Sequence, residues 1–123
     1  MINWGEVRWF KKYEFDSPDD PGSGNEMSGT LIGKLERLRS NCGFPIHINS
    51  GFRTPEHNSE IGGKDSSAHL RGRAVDISCR SSAQRYQLIK EALGLGFKRI
   101  GIGDTFIHLD VDESLPQNVI WTY

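Results

Sequence analysis

Three side chains of the kinds that bind divalent metals stand along this chain. His69 and Asp76 lie seven residues apart in SSAHLRGRAVD, and His108 follows 32 residues later in FIHLDVD. Two imidazoles and one carboxylate make three ligands for a tetrahedral cation. The fourth position stays open, which is the arrangement of a catalytic rather than a structural zinc. Such a trio also arises by coincidence in a metal-free protein, and spacing alone does not separate the two cases.

Three short strands are the elements that must carry these residues. In PIHINSGF, Ile46 and Ile48 alternate with His47 and Asn49. In RAVDIS, Val75 and Ile77 alternate with Ala74, Asp76 and Ser78, and in FIHLDVD, Ile107, Leu109 and Val111 alternate with His108, Asp110 and Asp112. Side chains alternate across a sheet, so each strand turns its aliphatics to a core and its polar residues to the other face. A polar face carrying both His and Asp is read as a site. Asp76 and His108 lie on it, while His69 comes from the loop before the Asp76 strand, where Gly72 permits a tight return.

Two helices are expected beside the sheet. TLIGKLERLRSNCG repeats Leu31, Leu35, Leu38 and Cys42 at helical steps, with Thr30 as a cap and Gly43 as the terminator. SAQRYQLIKEALGLG places Tyr86, Ile89 and Leu93 on an apolar stripe that Gly94 or Gly96 closes. Residues 1–29 read as an N-terminal segment in two parts. An aromatic cluster of Trp9, Phe10, Tyr13 and Phe15 is followed by a surface loop, DSPDDPGSGNEMSG, rich in turn formers. Trp121 and Tyr123, near the other end, either pack on the sheet or meet a substrate.

Size and charge narrow the function. The 123 residues suit one domain, with 30–112 as its motif-bearing core. Fifteen Lys and Arg against sixteen Asp and Glu give a net charge of −1. That balance argues against nucleic acid as a partner, which calls for a clear basic excess. The start, MINWGEVRWFKKYEF, has no apolar run of signal-peptide or membrane length. The chain is therefore expected to be made soluble in the cytoplasm as a monomer, without membrane insertion, and any export would use other machinery. Cys42 and Cys79 fit neither a disulfide scaffold nor a four-cysteine zinc site, and are either two buried thiols or one bridge.

The longer pattern Ser67-Ala68-His69-Leu70-Arg71-Gly72-Arg73-Ala74-Val75-Asp76 reads S-x-H-x-x-G-x-A-x-D. SGFRTPEHN and GGK precede it and GIGDTFIHLDVD follows. This series resembles the zinc D-Ala-D-Ala carboxypeptidase family of peptidoglycan peptidases, which shares its fold with Hedgehog signalling domains. The short form looks most like the phage-endolysin branch. The resemblance implies an α+β domain with a small antiparallel sheet and flanking helices. It also implies one zinc per chain held by His69, Asp76 and His108, and hydrolysis of peptide bonds in the stem peptide of the cell wall after release. Ser67 is then a donor orienting the loop or a ligand. His47, on the polar face of the first strand, either lines the cleft or is a hydrogen-bonded structural histidine.

Arg53 reads in two ways. On the surface it would bridge to Glu56 or Glu60. In the resembling family an Arg in this block faces the metal, and its planar fork suits an oxyanion or a peptide's terminal carboxylate. Many members also carry an acid three positions before the last His, where this chain has Thr105. The neighbouring carboxylates are Asp104 and Asp110. Asp110 shares a strand face with His108 and is the first choice for the general base, with Asp104 second and an orienting role for Asp110 the competing reading. The missing acid keeps open a rival function, a non-catalytic zinc-containing binding module of the same fold.

Overall fold

Ser28 opens the first helix. Its hydroxyl accepts the Leu31 amide and α1 runs Gly29–Cys42, so the cap falls two residues before Thr30. Gly43 ends the helix at φ 73° and returns its amide to the Arg39 carbonyl. Leu31, Ile32, Leu35 and Leu38 form the buried stripe. A computed structural model describes residues 2–123. In it a one-turn-and-a-half helix, α2 (Pro55–Glu60), follows the first strand, and α3 (Ser82–Gly94) packs against α1. α3 buries Leu88 and Ala92, whereas Tyr86 and Leu93 of the expected stripe are 70% and 52% exposed. The core stripe of α3 is thus rotated from the one its largest side chains suggest.

Five strands form one sheet in the order β1 (Ile48–Ser50), β2 (Ala74–Ser78), β4 (Phe106–Asp110), β3 (Arg99–Ile102), β5 (Val119–Thr122). β1, β2, β4 and β3 pair antiparallel, as expected; β5 runs parallel to β3 and makes the sheet mixed. After β4 the chain passes through residues 111–118, with Asn118 at φ 61°, and adds to the free edge of β3. One face of the sheet supplies Val75, Ile77, Ile100, Ile107 and Leu109 to the cluster that holds Leu31, Leu35, Leu38 and Leu88. The other face is open and polar.

The N-terminal stretch is more tightly held than a surface loop. Phe10 and Phe15 are buried, while Trp9 and Tyr13 face outward. The Asp16 carboxylate accepts the amides of Gly22 and Gly24, and Ser17, Ser23 and Met27 are buried. Phe52 donates its amide to the Phe15 carbonyl at 2.9 Å, so this segment lies against the exit of β1. Cys42 and Cys79 are free thiols, and burial pushes the Cys42 thiol up to about 11. Among the described residues no helix is long and apolar enough to cross a membrane.

Candidate metal centre and its cleft

Asp76 on β2 and His108 on β4 are direct cross-strand partners. His69 reaches them from a 3-10 turn, Ala68–Arg71, capped by the Ser67 hydroxyl, which accepts the His69 amide. Gly72 closes that turn at φ 67°, and a Cβ there would come within 2.1 Å of the Glu26 carbonyl oxygen. The return to β2 therefore requires glycine both for its backbone angle and for the close approach. One ligand atom from each of His69, Asp76 and His108 lies within 4.8 Å of the others.

The hydrogen bonds decide which nitrogens face inward. His69 Nδ1 lies 2.7 Å from the carbonyl oxygen of Gly51, an acceptor, so Nδ1 carries the proton and Nε2 keeps a lone pair. That Nε2 is buried, has no hydrogen-bond partner, and sits 3.4 Å from Asp76 Oδ1. His108 Nε2 lies 2.7 Å from Asp110 Oδ2, which turns Nδ1 toward Asp76 Oδ1 at 2.9 Å. Two imidazole nitrogens and one carboxylate oxygen thus converge on one point, and a buried orphan lone pair there is a cost that a cation removes. The donor set fits a zinc ion.

Burial works against the Asp76 charge, but the hydrogen bond with His108 and the neighbouring His69 ring outweigh it and hold the carboxyl well below the usual range. Burial likewise opposes the His108 cation, yet hydrogen bonds to Asp110 and Asp76 raise its pKa above the ordinary imidazole value.

Arg53 belongs to this centre and not to the surface. Its Nε donates to Ser50 Oγ at 3.1 Å, and its terminal nitrogens to Asn58 Oδ1 at 3.3 Å and Asp76 Oδ2 at 3.2 Å. Burial lowers its pKa and the Asp76 charge opposes that. Asn58 is buried and fastens its own loop by donating to the Lys64 carbonyl.

Asp110, expected as the base, lines the cleft but is tied to its neighbours. It lies behind His108, on the nitrogen opposite the one that faces Asp76, and Arg99 Nε donates to its Oδ1 at 2.7 Å. Both oxygens are engaged and the residue is 1% exposed. Strand alternation does put it beside His108, but two residues along the strand is also the reach of an imidazole's outer nitrogen. Asp104 occupies the exposed β3–β4 turn and is absent from the cleft wall. His47 is exposed and also outside the wall: its carbonyl accepts the Ser78 amide, two residues along β2 from Asp76, and Ser50 is the β1 residue opposite Asp76.

A cleft of about 680 Å³ opens over the centre. Arg53, Ser67, His69, Asp76 and His108 line one part of it; Arg99, Phe106, Asp110, Trp121 and Tyr123 are among the residues that line the rest. Trp121 and Tyr123 are therefore cleft residues that also pack on the sheet. Arg99 and Asn58 escaped the reading of the sequence. Alternation in KRIGI would have turned Arg99 to the polar face, had a strand been drawn there; nothing local marks Asn58.

A family model described as Peptidase M15 matches residues 15–110. Among curated proteins, the zinc D-Ala-D-Ala carboxypeptidase of Streptomyces albus G is 36% identical over 72 residues, a stretch covering 52% of this chain and 28% of that protein. The chain thus matches under a third of the length of that relative.

Proposed function

Since the chain belongs to the peptidase M15 family, we propose that it is a zinc peptidase acting on the stem peptide of bacterial peptidoglycan, as a D-Ala-D-Ala carboxypeptidase or an endopeptidase, in the manner of a phage or prophage lytic enzyme. The observation that carries this reading is the convergence of His69 Nε2, Asp76 and His108 Nδ1, with the His69 nitrogen buried and unpartnered. These three residues would hold one zinc per chain. When bound, zinc supplies a Lewis acid that polarises a carbonyl and acidifies water.

The remaining roles fall to the chain itself. Gly51 and Asp110 each occupy the outer nitrogen of one histidine and so fix its tautomer and direction. Arg53, steadied by Ser50 and Asn58 at the cleft wall, would receive a peptide carboxylate or a developing oxyanion. Ser67 sets the turn that delivers His69.

One observation favours a second reading, a non-catalytic zinc-containing binding module. Asp110 has both oxygens engaged, Asp76 is shared between the histidines and Arg53, and Asp104 lies off the cleft wall. The experiment is incubation of the zinc-loaded protein with purified peptidoglycan, followed by assay of released D-alanine and newly exposed amino groups. Cleavage that a chelator abolishes is expected. Binding to the wall without any new amino group would establish the module instead.

A further inference from the structure

Asp76, His108, Gly101 and Trp121 lie on one rung across β2, β4, β3 and β5. Gly101 is the gap in that rung. A Cβ on it would come within 2.7 Å of Trp121 Nε1 and 2.8 Å of its Cε2, so the indole lies over the bare backbone of β3. The indole thereby crosses a whole strand and meets the His108 ring, centroid to centroid at 5.3 Å and tilted by 52°.

The Arg99 guanidinium also lies against the indole, 4.9 Å from the ring centroid. Arg99 Nε donates to Asp110 Oδ1, and Asp110 Oδ2 holds His108 Nε2. Four side chains thus close a cycle, His108–Asp110–Arg99–Trp121, with Gly101 beneath it. Each member restrains something different. The Asp110 and Asp76 contacts hold the two ring nitrogens of His108 at its edge. The indole packs against the ring and opposes its tilting. It also shields the Asp110–Arg99 pair from water, where a charge-assisted bond is stronger.

We propose that Trp121 is a positioning residue for the zinc ligand His108, acting through the ring contact that Gly101 permits and through the Arg99–Asp110 pair that it covers. The inference rests on the zinc reading above. It lies beyond the segment that the family model matches, which ends at residue 110. Glycine at 101 and tryptophan at 121 become one device, since any side chain at 101 would displace the indole.

Zinc affinity of the metal-free full chain, measured by competition with a chromophoric chelator, tests this without any substrate. Trp121→Ala should bind zinc roughly 10–100-fold more weakly than the unaltered protein, the range seen when a ligand's outer support is removed. Trp121→Phe keeps a ring over Gly101 and should recover most of the loss. Gly101→Ala keeps the indole but displaces it, and should lose about tenfold. In the cobalt-substituted protein the visible absorption of Trp121→Ala should shift, because the His108 ligand is no longer held at one tilt.

A structural role alone would lower the melting temperature and leave affinity and cobalt spectrum unchanged. That result in Trp121→Ala, or in Gly101→Ala should Trp121→Ala fail to fold, overturns the proposal. His69→Ala, measured alongside, separates the two levels. If the unaltered chain binds no more zinc than His69→Ala, the zinc reading falls and this inference with it. If only the Trp121 and Gly101 variants match the unaltered chain, this inference falls alone.

Discussion

Nε2 of His108 lies 2.7 Å from Oδ2 of Asp110, while Nδ1 of the same ring faces Asp76 at 2.9 Å. A carboxylate on the outer nitrogen raises the basicity of the inner one and fixes its aim. Asp110→Asn keeps the shape and removes the charge. It should weaken zinc binding roughly 10–100-fold by chelator competition. It should also cost stability, about 3 kcal/mol, because Arg99 is left mostly buried beside a neutral amide. Asp104→Asn, exposed and off the cleft wall, should leave both zinc and turnover near the unaltered values. An Asp110→Asn protein that binds zinc with full affinity yet is inactive would return Asp110 to the role of base.

The metal assignment predicts near one equivalent of zinc in protein purified without added metal. His69→Ala and His108→Ala should each lower it sharply by elemental analysis, since each removes one of three converging donors. Unchanged metal content in both variants would sink the assignment.

How far the sequence exposed this centre follows from how local each signal is. Asp76 and His108 sit in AVDIS and FIHLD, strands whose alternation is unbroken, and their register across β2 and β4 is what the polar face implied. Alternation also turns His47 to the polar face, but its carbonyl meets the Ser78 amide, two residues along β2 from Asp76, and that distance along the ladder is not read from alternation alone. Arg99 went unseen because Gly101 weakens the strand signal in RIGI. The glycine's purpose depends on Trp121, twenty residues on and across a parallel pairing. Likewise Asp16, Ser17 and Asp19 read as loop formers, yet they bond Gly22, Gly24 and Thr54 and so hold the segment that carries Arg53.

Arg53→Ala should lower turnover on peptidoglycan about a hundredfold, equivalent to roughly 2–4 kcal/mol of transition-state binding, with zinc content nearly unchanged. Arg53→Lys restores the charge but not the fork that spans Ser50, Asn58 and Asp76, so only part of the activity should return. Full turnover in Arg53→Ala would leave this residue a structural support of the loop.

Acid stability should depend on Asp112. Its side chain is fully buried; it accepts from the Ser114 amide at 3.0 Å, the Ser114 hydroxyl at 2.6 Å and Arg71 Nε at 2.6 Å. Burial alone would raise its pKa, but the bonds to Ser114 and Arg71 outweigh it and the pKa is lowered. A folded pKa below the unfolded one means that the stabilisation is complete above about pH 4 and is lost as pH falls toward the folded value. Urea unfolding between pH 2.5 and 6 should show this loss, and Asp112→Asn should flatten it. Identical acid limbs in the two proteins would contradict the assignment.

Gly51 joins the N-terminal segment to the metal centre. Its carbonyl accepts the His69 Nδ1 proton at 2.7 Å, and the next residue, Phe52, donates its amide to the Phe15 carbonyl. A Cβ on Gly51 would lie 2.8 Å from the Phe15 Cα and 2.9 Å from the Phe15 Cβ and carbonyl oxygen. These are backbone neighbours that cannot rotate aside, so either residue 15 or the exit of β1 must shift. Overpacking of this kind costs about 1–3 kcal/mol. The displaced carbonyl should in addition let the His69 ring turn and weaken zinc binding about tenfold. Gly33→Ala supplies the contrast. It lies in α1 with nothing within 4 Å of its added methyl, and should stabilise the protein by about 0.5–1 kcal/mol without touching zinc affinity. Thermal unfolding of the metal-free proteins, paired with chelator competition, reads both effects. If Gly51→Ala loses stability but keeps zinc affinity, the carbonyl is not what aims His69, and the N-terminal segment supports the fold alone.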